Sequence, residues 1–420
     1  MDVRSGHKQT EAGLIPADWS AATLDSMAFV TSGKRLPLGT KLTERETPHP
    51  YIRVTDMRPG TVSLADLRHV PAEVFPFIKN YRIFEKDIFI SVAGTLGIVG
   101  KVPPELDGAN LTENADRITN ITCSRDYLLH VLASPHIQNT IEELRTVGAQ
   151  PKLALARIRK FQIPLPPTKA EQEAIAEALS DADVLIESLE QLVAKKRRIK
   201  QGAMQELLTV KRRLPGFSGE WVHQRLGDSA TLKARIGWQG LTTAEYLDSG
   251  AFYLVTGTEF EVGRVDWASC HYVEESRYKQ DANIQLREDD VLVTKDGTIG
   301  KVALVQQLPM PATLNSGVFV VRPRGEAFFP TFFFYVLCSE VFVDFLNQLS
   351  AGSTINHLYQ KDFVGFKYSL PPTMAEQAAI ASILDEAEAE ISALDAKLAK
   401  AHQIKQGMMQ NLLTGKVRLI

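Results

Sequence analysis

Ile163-Pro-Leu-Pro-Pro-Thr-Lys-Ala-Glu-Gln-Glu-Ala-Ile175 returns 205 residues later as Tyr368-Ser-Leu-Pro-Pro-Thr-Met-Ala-Glu-Gln-Ala-Ala-Ile380. The offset holds downstream, where Ile199-Lys-Gln-Gly-Ala-Met-Gln-Glu-Leu-Leu-Thr209 matches Ile404-Lys-Gln-Gly-Met-Met-Gln-Asn-Leu-Leu-Thr414 without a gap. Upstream, Gly94-Thr-Leu-Gly-Ile-Val-Gly-Lys-Val102 pairs with Gly297-Thr-Ile-Gly-Lys-Val302, and Ile15-Pro-Ala-Asp-Trp19 with Leu214-Pro-Gly-Phe-Ser-Gly-Glu-Trp221. A self-similarity of this reach means a tandem duplication of nearly the whole chain. The match is uneven: residues 31–90 and 230–290 barely align. One architecture is expected to carry two different surfaces.

The Pro-Pro-Thr junctions divide the chain, because proline neither continues a helix nor donates within a central strand. Thr168 with Glu171, and Thr373 with Glu376, read as capping boxes that open helices. In the first, Ile175, Leu179, Ala182, Ile186, Leu189 and Val193 alternate spacings of four and three; in the second, so do Ile380, Leu384, Ala387, Ile391, Leu394 and Leu398. That 3.5-residue period marks a coiled-coil seam. A helix from Glu171 to Leu208 would be roughly 57 Å long at about 1.5 Å per residue. Gly202 and Gly407 interrupt both helices in the same register, consistent equally with close packing against a partner or a mild kink. The basic run Lys195-Lys-Arg-Arg198 with Lys200, and Lys211-Arg-Arg213, reads first as a solvated helix face.

The expected organisation is residues 1–167, a first globular domain; 168–213, a first helix; 214–372, a second globular domain; and 373–420, a second helix. Short apolar runs such as Asp87-Ile-Phe-Ile-Ser-Val92 and Asp290-Val-Leu-Val-Thr294 read as strands, with helices over Asp126–Leu132 and Pro330–Leu349. The fold class is therefore α+β: two globular domains and two long helices. Packed antiparallel, those helices would form a coiled coil and give the tandem repeat a pseudo-two-fold axis.

With 44% hydrophobic and 23% charged residues, the chain is globular in composition. No apolar run of membrane-spanning length and no export signal are evident, so a cytoplasmic protein is expected. Cys123, Cys270 and Cys338 are widely spaced and read as reduced core residues. Net charge is −3, distributed over the four segments as +2, +1, −5 and −1. None is basic enough to hold nucleic acid by bulk attraction alone. The Gly-Thr-x-Gly pieces fail as phosphate loops, since valine follows each lysine where Ser or Thr is required. They read as tight turns. No methyl-donor pocket motif, carboxylate cluster or metal-ligand spacing stands out, so no catalytic residue and no metal site are expected.

The order of globular domain, Leu-Pro-Pro-x-x-x-Glu-Gln junction, long helix, and the whole repeated once resembles the specificity subunit of type I restriction-modification enzymes. Thr31-Ser-Gly-Lys-Arg35 with Tyr51-Ile-Arg-Val-Thr-Asp-Met57, and Asp290-Val-Leu-Val-Thr-Lys-Asp-Gly-Thr-Ile-Gly-Lys301, also look typical of its target recognition domains. That resemblance implies that each domain reads one half of a bipartite site in double-stranded DNA. It implies helices that set the spacer and dock two DNA methyltransferase subunits, and motor-nuclease subunits that join the complex. S-adenosylmethionine would be bound by the methyltransferase partner, with no cofactor on this chain. The alternative is a duplicated coiled-coil scaffold that binds proteins without reading DNA.

Base readout needs donors and acceptors on loops. The candidates in the first domain are Lys34, Arg35, Arg53, Thr55, Gln150 and Lys152. In the second they are Arg235, Trp238, Gln239, Thr256, Lys295, Asn315, Ser316 and His357.

Overall fold

A computed structural model describes residues 6–143, 152–209, 211–350 and 357–419, without the side chain of Trp238. The chain forms two compact units, Met1–Glu190 with Lys397–Ile420, and Gln191–Ala396. Each unit therefore takes one half of each long helix, a division that differs from the four consecutive segments expected from the sequence.

In the first unit, an antiparallel sheet runs in the order Phe29–Ser32, Ala115–Thr119, Ile88–Ser91, Val99–Lys101. A second sheet runs Arg68–His69, Pro50–Ile52, Ala109–Leu111, Arg82–Ile83, with its middle pair parallel. Strand Ile88–Ser91 is apolar on both faces because both are covered, and its four residues are all buried. Ser20–Thr23 and Gln162–Leu165 make a ribbon at the root of the first long helix. Trp19, Ile90, Tyr127, Leu128 and Ile163 form the core with Ile175 and Leu179, and Met409, Leu412 and Leu413 close it from the end of the second long helix.

The second unit repeats this plan. Ala230–Lys233, Val318–Pro323, Val291–Thr294 and Val302–Leu304 stand in the same order, extended by Arg264–Val265 and Phe260–Glu261. His271–Tyr272, Tyr253–Val255 and Ala312–Leu314 form the second sheet, again with one parallel pair. Its core is aromatic, built on Phe328, Phe332, Phe333, Phe342, Phe363 and Phe366, with Leu207, Leu208, Ile380 and Leu384 from the long helices. The helix expected over Pro330–Leu349 is two, Pro330–Leu337 and Glu340–Ser350. Cys338 sits at the break and is exposed, which corrects its placement in the core; Cys123 is half-buried and Cys270 buried, all three as free thiols.

The long helices run Lys169–Leu207 and Met374–Leu412, 39 residues each. Thr168 and Thr373 accept from the backbone N–H of Glu171 and Glu376 at 3.2 and 3.3 Å, which is half of a capping box. The glutamate half is used elsewhere. In the first unit the buried Glu171 carboxylate takes both arms of Arg418, Nη2 at 2.8 Å; in the second, Glu376 takes Arg213 at 3.0 and 2.8 Å. The neighbouring glutamine bolts each helix to its domain. Gln172 accepts from Ser124 N–H and donates to the Pro166 carbonyl, and Gln377 does the same with Phe329 and Pro371.

Within each unit the helix halves pair antiparallel. Asp183 and Glu190 meet Lys405 and His402 in the first. In the second, Lys196 pairs with Glu390 at 2.6 Å, Arg197 with Asp395 at 2.8 Å, and Lys200 with Glu388. Three members of the basic run thus form a ladder of interhelical ion pairs, while Lys195 and Arg198 lie on the exposed face. Along the seam Ile175, Leu179, Ile186, Val193, Ile380, Leu384, Ile391 and Leu394 are buried, while Ala182, Leu189, Ala387 and Leu398 are half-buried. A Cβ added at Gly202 or Gly407 would meet nothing within 4 Å, so neither glycine is required by packing within this chain.

Candidate nucleic-acid interface

In the first unit the loops at one end of the main sheet converge. The strand Phe29–Ser32 leaves the sheet at Gly33, where a Cβ would lie 2.1 Å from the Thr112 carbonyl oxygen. Only glycine permits that close passage. Lys34 N–H then donates to the Leu111 carbonyl at 2.8 Å, and Tyr51 Oη donates to the Lys34 carbonyl at 2.9 Å. Arg35 Nε donates to Glu113 Oε1 at 2.6 Å. Burial pushes the Glu113 carboxyl up, but Arg35, its own backbone and Thr112 outweigh this and hold it below the ordinary carboxylate range. On the other flank Val92 N–H reaches the Asn114 carbonyl, and Ala93 bridges to Lys152. Lys34, Arg35 and Lys152 therefore belong to one loop cluster. Beneath it lies Asp116, whose carboxyl burial pushes up, against Ser32, Lys152 and Arg159.

The tip between Ser91 and Val99 is a hydrogen-bonded turn. Ser91 Oγ accepts from Ile98 N–H at 2.8 Å and donates to the Thr95 carbonyl at 2.6 Å, while Gly94 and Gly97 both have φ of +78°. Thr294 does the same with Lys301 N–H and the Thr298 carbonyl, between Gly297 at +69° and Gly300 at +80°. The Gly-Thr-x-Gly pieces are thus turns in both units.

In the second unit, Lys295 N–H donates to the Gly317 carbonyl and its own carbonyl accepts from Leu358 N–H. His357 pairs with Asp296. Asn315 takes its place through Val255, with its side-chain amide donating to Tyr246 Oη at 2.6 Å. Thr256 is held by Glu259, which accepts from its N–H at 3.1 Å and its hydroxyl at 2.7 Å. Ser316 lies against the turn Gly237–Gly240, its Oγ 3.5 Å from where a Gly240 Cβ would sit. That turn carries Trp238 and Gln239, whose buried Oε1 has no partner among the described residues. Thr256, Lys295, Asn315, Ser316 and His357 are therefore brought together, with Gln239 beside them.

Two candidates are engaged within their own unit. Arg235 is 1% exposed, and its guanidinium is spent on the Leu314 and Arg277 carbonyls, Gln280 and Thr313. It fastens a loop from inside. Arg53 clasps Asp56 and Asp66, closing its own turn. Thr55 is exposed on that turn, next to Val54, which lies 3.9 Å from the Cβ position of Gly94. Gln150 and the Trp238 side chain lie outside the described residues. Glu113 and Asn114 join the first loop cluster without being sequence candidates, although Leu111-Thr-Glu-Asn-Ala115 occupies the place of Leu314-Asn-Ser-Gly-Val318, which holds the candidates Asn315 and Ser316. Among the described residues no group of three or more His, Cys, Asp or Glu side chains is placed to hold a metal ion. No single described helix is long and apolar enough to cross a membrane.

Two units on one plan, each with a divergent loop cluster and a shared helical frame, define a duplicated recognition protein. The sequence matches the type I restriction modification DNA specificity domain family over residues 16–196 and 241–403, and the chain belongs to that family. A Methanocaldococcus jannaschii protein assigned as the type I restriction enzyme MjaX specificity subunit is 25% identical, across 98% of this chain and 96% of that one. The MjaVIII specificity subunit of the same organism is 24% identical, across 96% and 94%. Among solved structures, the S subunit of a type I restriction-modification system from M. genitalium superposes with a TM-score of 0.63 at 15% identity, covering 98% of both chains. A chain from an assembly study of the type I system gives 0.55 at 17% identity, covering 96% of this chain and 99% of its own.

Proposed function

We propose that this chain is the non-catalytic, sequence-reading subunit of a type I restriction-modification complex, each unit reading one half of a bipartite site in double-stranded DNA. The observation that carries this reading is the contrast within the repeat. Junctions, capping residues and helix seams coincide at a fixed offset, while the loop clusters built on the same strands differ. Such a contrast suits a common docking frame for two independent readers. The family membership and the full-length relatives support it.

On this reading the long helices dock two methyltransferase subunits, which bring S-adenosylmethionine and the methyl-transfer chemistry, and motor-nuclease subunits join them in the cytoplasm. The net charge of −3 fits a reader that relies on partners for much of its phosphate contact. Co-purification with a methyltransferase subunit from the native host, followed by mapping of methylated adenines, tests the proposal. Methylation at one split sequence is expected. Methyl transfer by the chain alone, or no sequence selectivity with the partner present, would overturn it.

A further inference from the structure

The loop that leaves the edge of the main sheet presents an exposed aliphatic side chain in both units. In the first, Leu38 is fully exposed although it lies beside apolar Leu36, Leu42 and Tyr51, which with Pro37 line an open recess of about 310 Å³. It is held there. Thr40 N–H and Oγ1 both return to the Pro37 carbonyl, at 3.1 and 2.7 Å, and Gly39 has φ of +82°. Pro37–Thr40 is therefore a tight turn with Leu38 at its first corner and the glycine where a positive φ is required. In the second unit, Ile236 follows strand Ala230–Lys233 as Arg35 follows Phe29–Ser32, and it is 52% exposed. Its carbonyl accepts from Gln239 N–H at 2.8 Å, which fixes the adjoining turn.

A lone exposed aliphatic residue is ordinary. These two stand on the loop that leaves the corresponding edge strand of each unit, each beside a tight turn, Leu38 six residues beyond its strand and Ile236 three. Cations stand near both: Lys34, Lys41 and the Glu113-paired Arg35 are exposed around Leu38, and Lys233 is exposed three residues before Ile236. Charge of this sign suits a phosphate backbone, and the 5-methyl group of thymine is the apolar feature of a duplex major groove. We propose that Leu38 and Ile236 are specificity residues, each packing against a thymine methyl group in its own half-site. This rests on the DNA-reading function proposed above.

The test uses the chain in complex with its methyltransferase partner and a target mapped by methylation. Thymines of each half-site, on either strand, are replaced one at a time by deoxyuridine, which lacks only the methyl group. Wild-type binding should fall about tenfold at one position per half-site. L38A should bind the thymine target about tenfold more weakly and lose its response to deoxyuridine at the first position alone; I236A should do so at the second. Unchanged binding by L38A and I236A, or variants that stay fully sensitive to deoxyuridine, would overturn this inference and leave the DNA-reading function standing. A complex that selects no sequence would overturn both.

Discussion

Glu171 and Glu376 occupy the third position of their helices, where an acidic side chain ordinarily turns back on its own backbone. Here each is almost fully buried, 2% and 0% exposed, and each is answered by an arginine lying just beyond the end of the other long helix. Arg418 further reaches Asp18 at 3.1 Å and stands over the Trp19 ring at 5.7 Å. A carboxylate left buried without its cation is strongly unfavourable. R418A should lower the unfolding free energy of the first unit by about 2 kcal/mol, and E171Q added to it should return part of the loss. Denaturant titration followed by Trp19 fluorescence would measure both; an R418A transition equal to wild type would show that the pair contributes nothing. The relation was invisible in sequence because nothing local marks an arginine 247 positions away as the partner of a capping glutamate.

At the scale of elements, the long helices were the most legible part of the molecule. A 3.5-residue apolar period survives any choice of partner, so the seam can be read without knowing what it packs against. Strands were legible for a related reason: Val291–Thr294 and Ile88–Ser91 are continuous apolar runs because both faces are covered. The ion-pair ladder was not legible, since a run such as Lys195–Lys200 gives no sign of which acids will face it. The paired glycines stay open between packing against a partner and a mild kink, because the space beside each is free within this chain. With no neighbour to displace, G202A and G407A should each stabilise the isolated chain by about 1 kcal/mol through helix propensity. Urea midpoints that fall would show that the glycines serve the helices in some other way.

For the whole molecule, the frame was readable from the repeat and the reading surface was not. Loop residues carry no periodicity, so Arg235 and Lys295 look alike on paper; only the packed chain separates a guanidinium held by carbonyls from an amine that lies over the Phe319 ring. The same division of frame from loops makes a prediction. Replacing residues 1–160 with the matching region of a relative should change one half of the methylated sequence and preserve the other, as read by methylation mapping. A change in both halves would contradict independent readers.

The first unit takes its closing segment from residues 397–420, yet everything else it needs is already present by Glu190. At about 5–20 residues per second, a ribosome takes roughly 10–40 s to cover the 206 intervening residues, Gln191–Ala396. Throughout that interval the apolar faces of Ile175 and Leu179 lack Met409, Leu412 and Leu413, and Glu171 lacks its arginine. The first domain to be synthesised is thus the one that must wait. Nascent chains stalled near residue 200 should be the species most dependent on holdase chaperones.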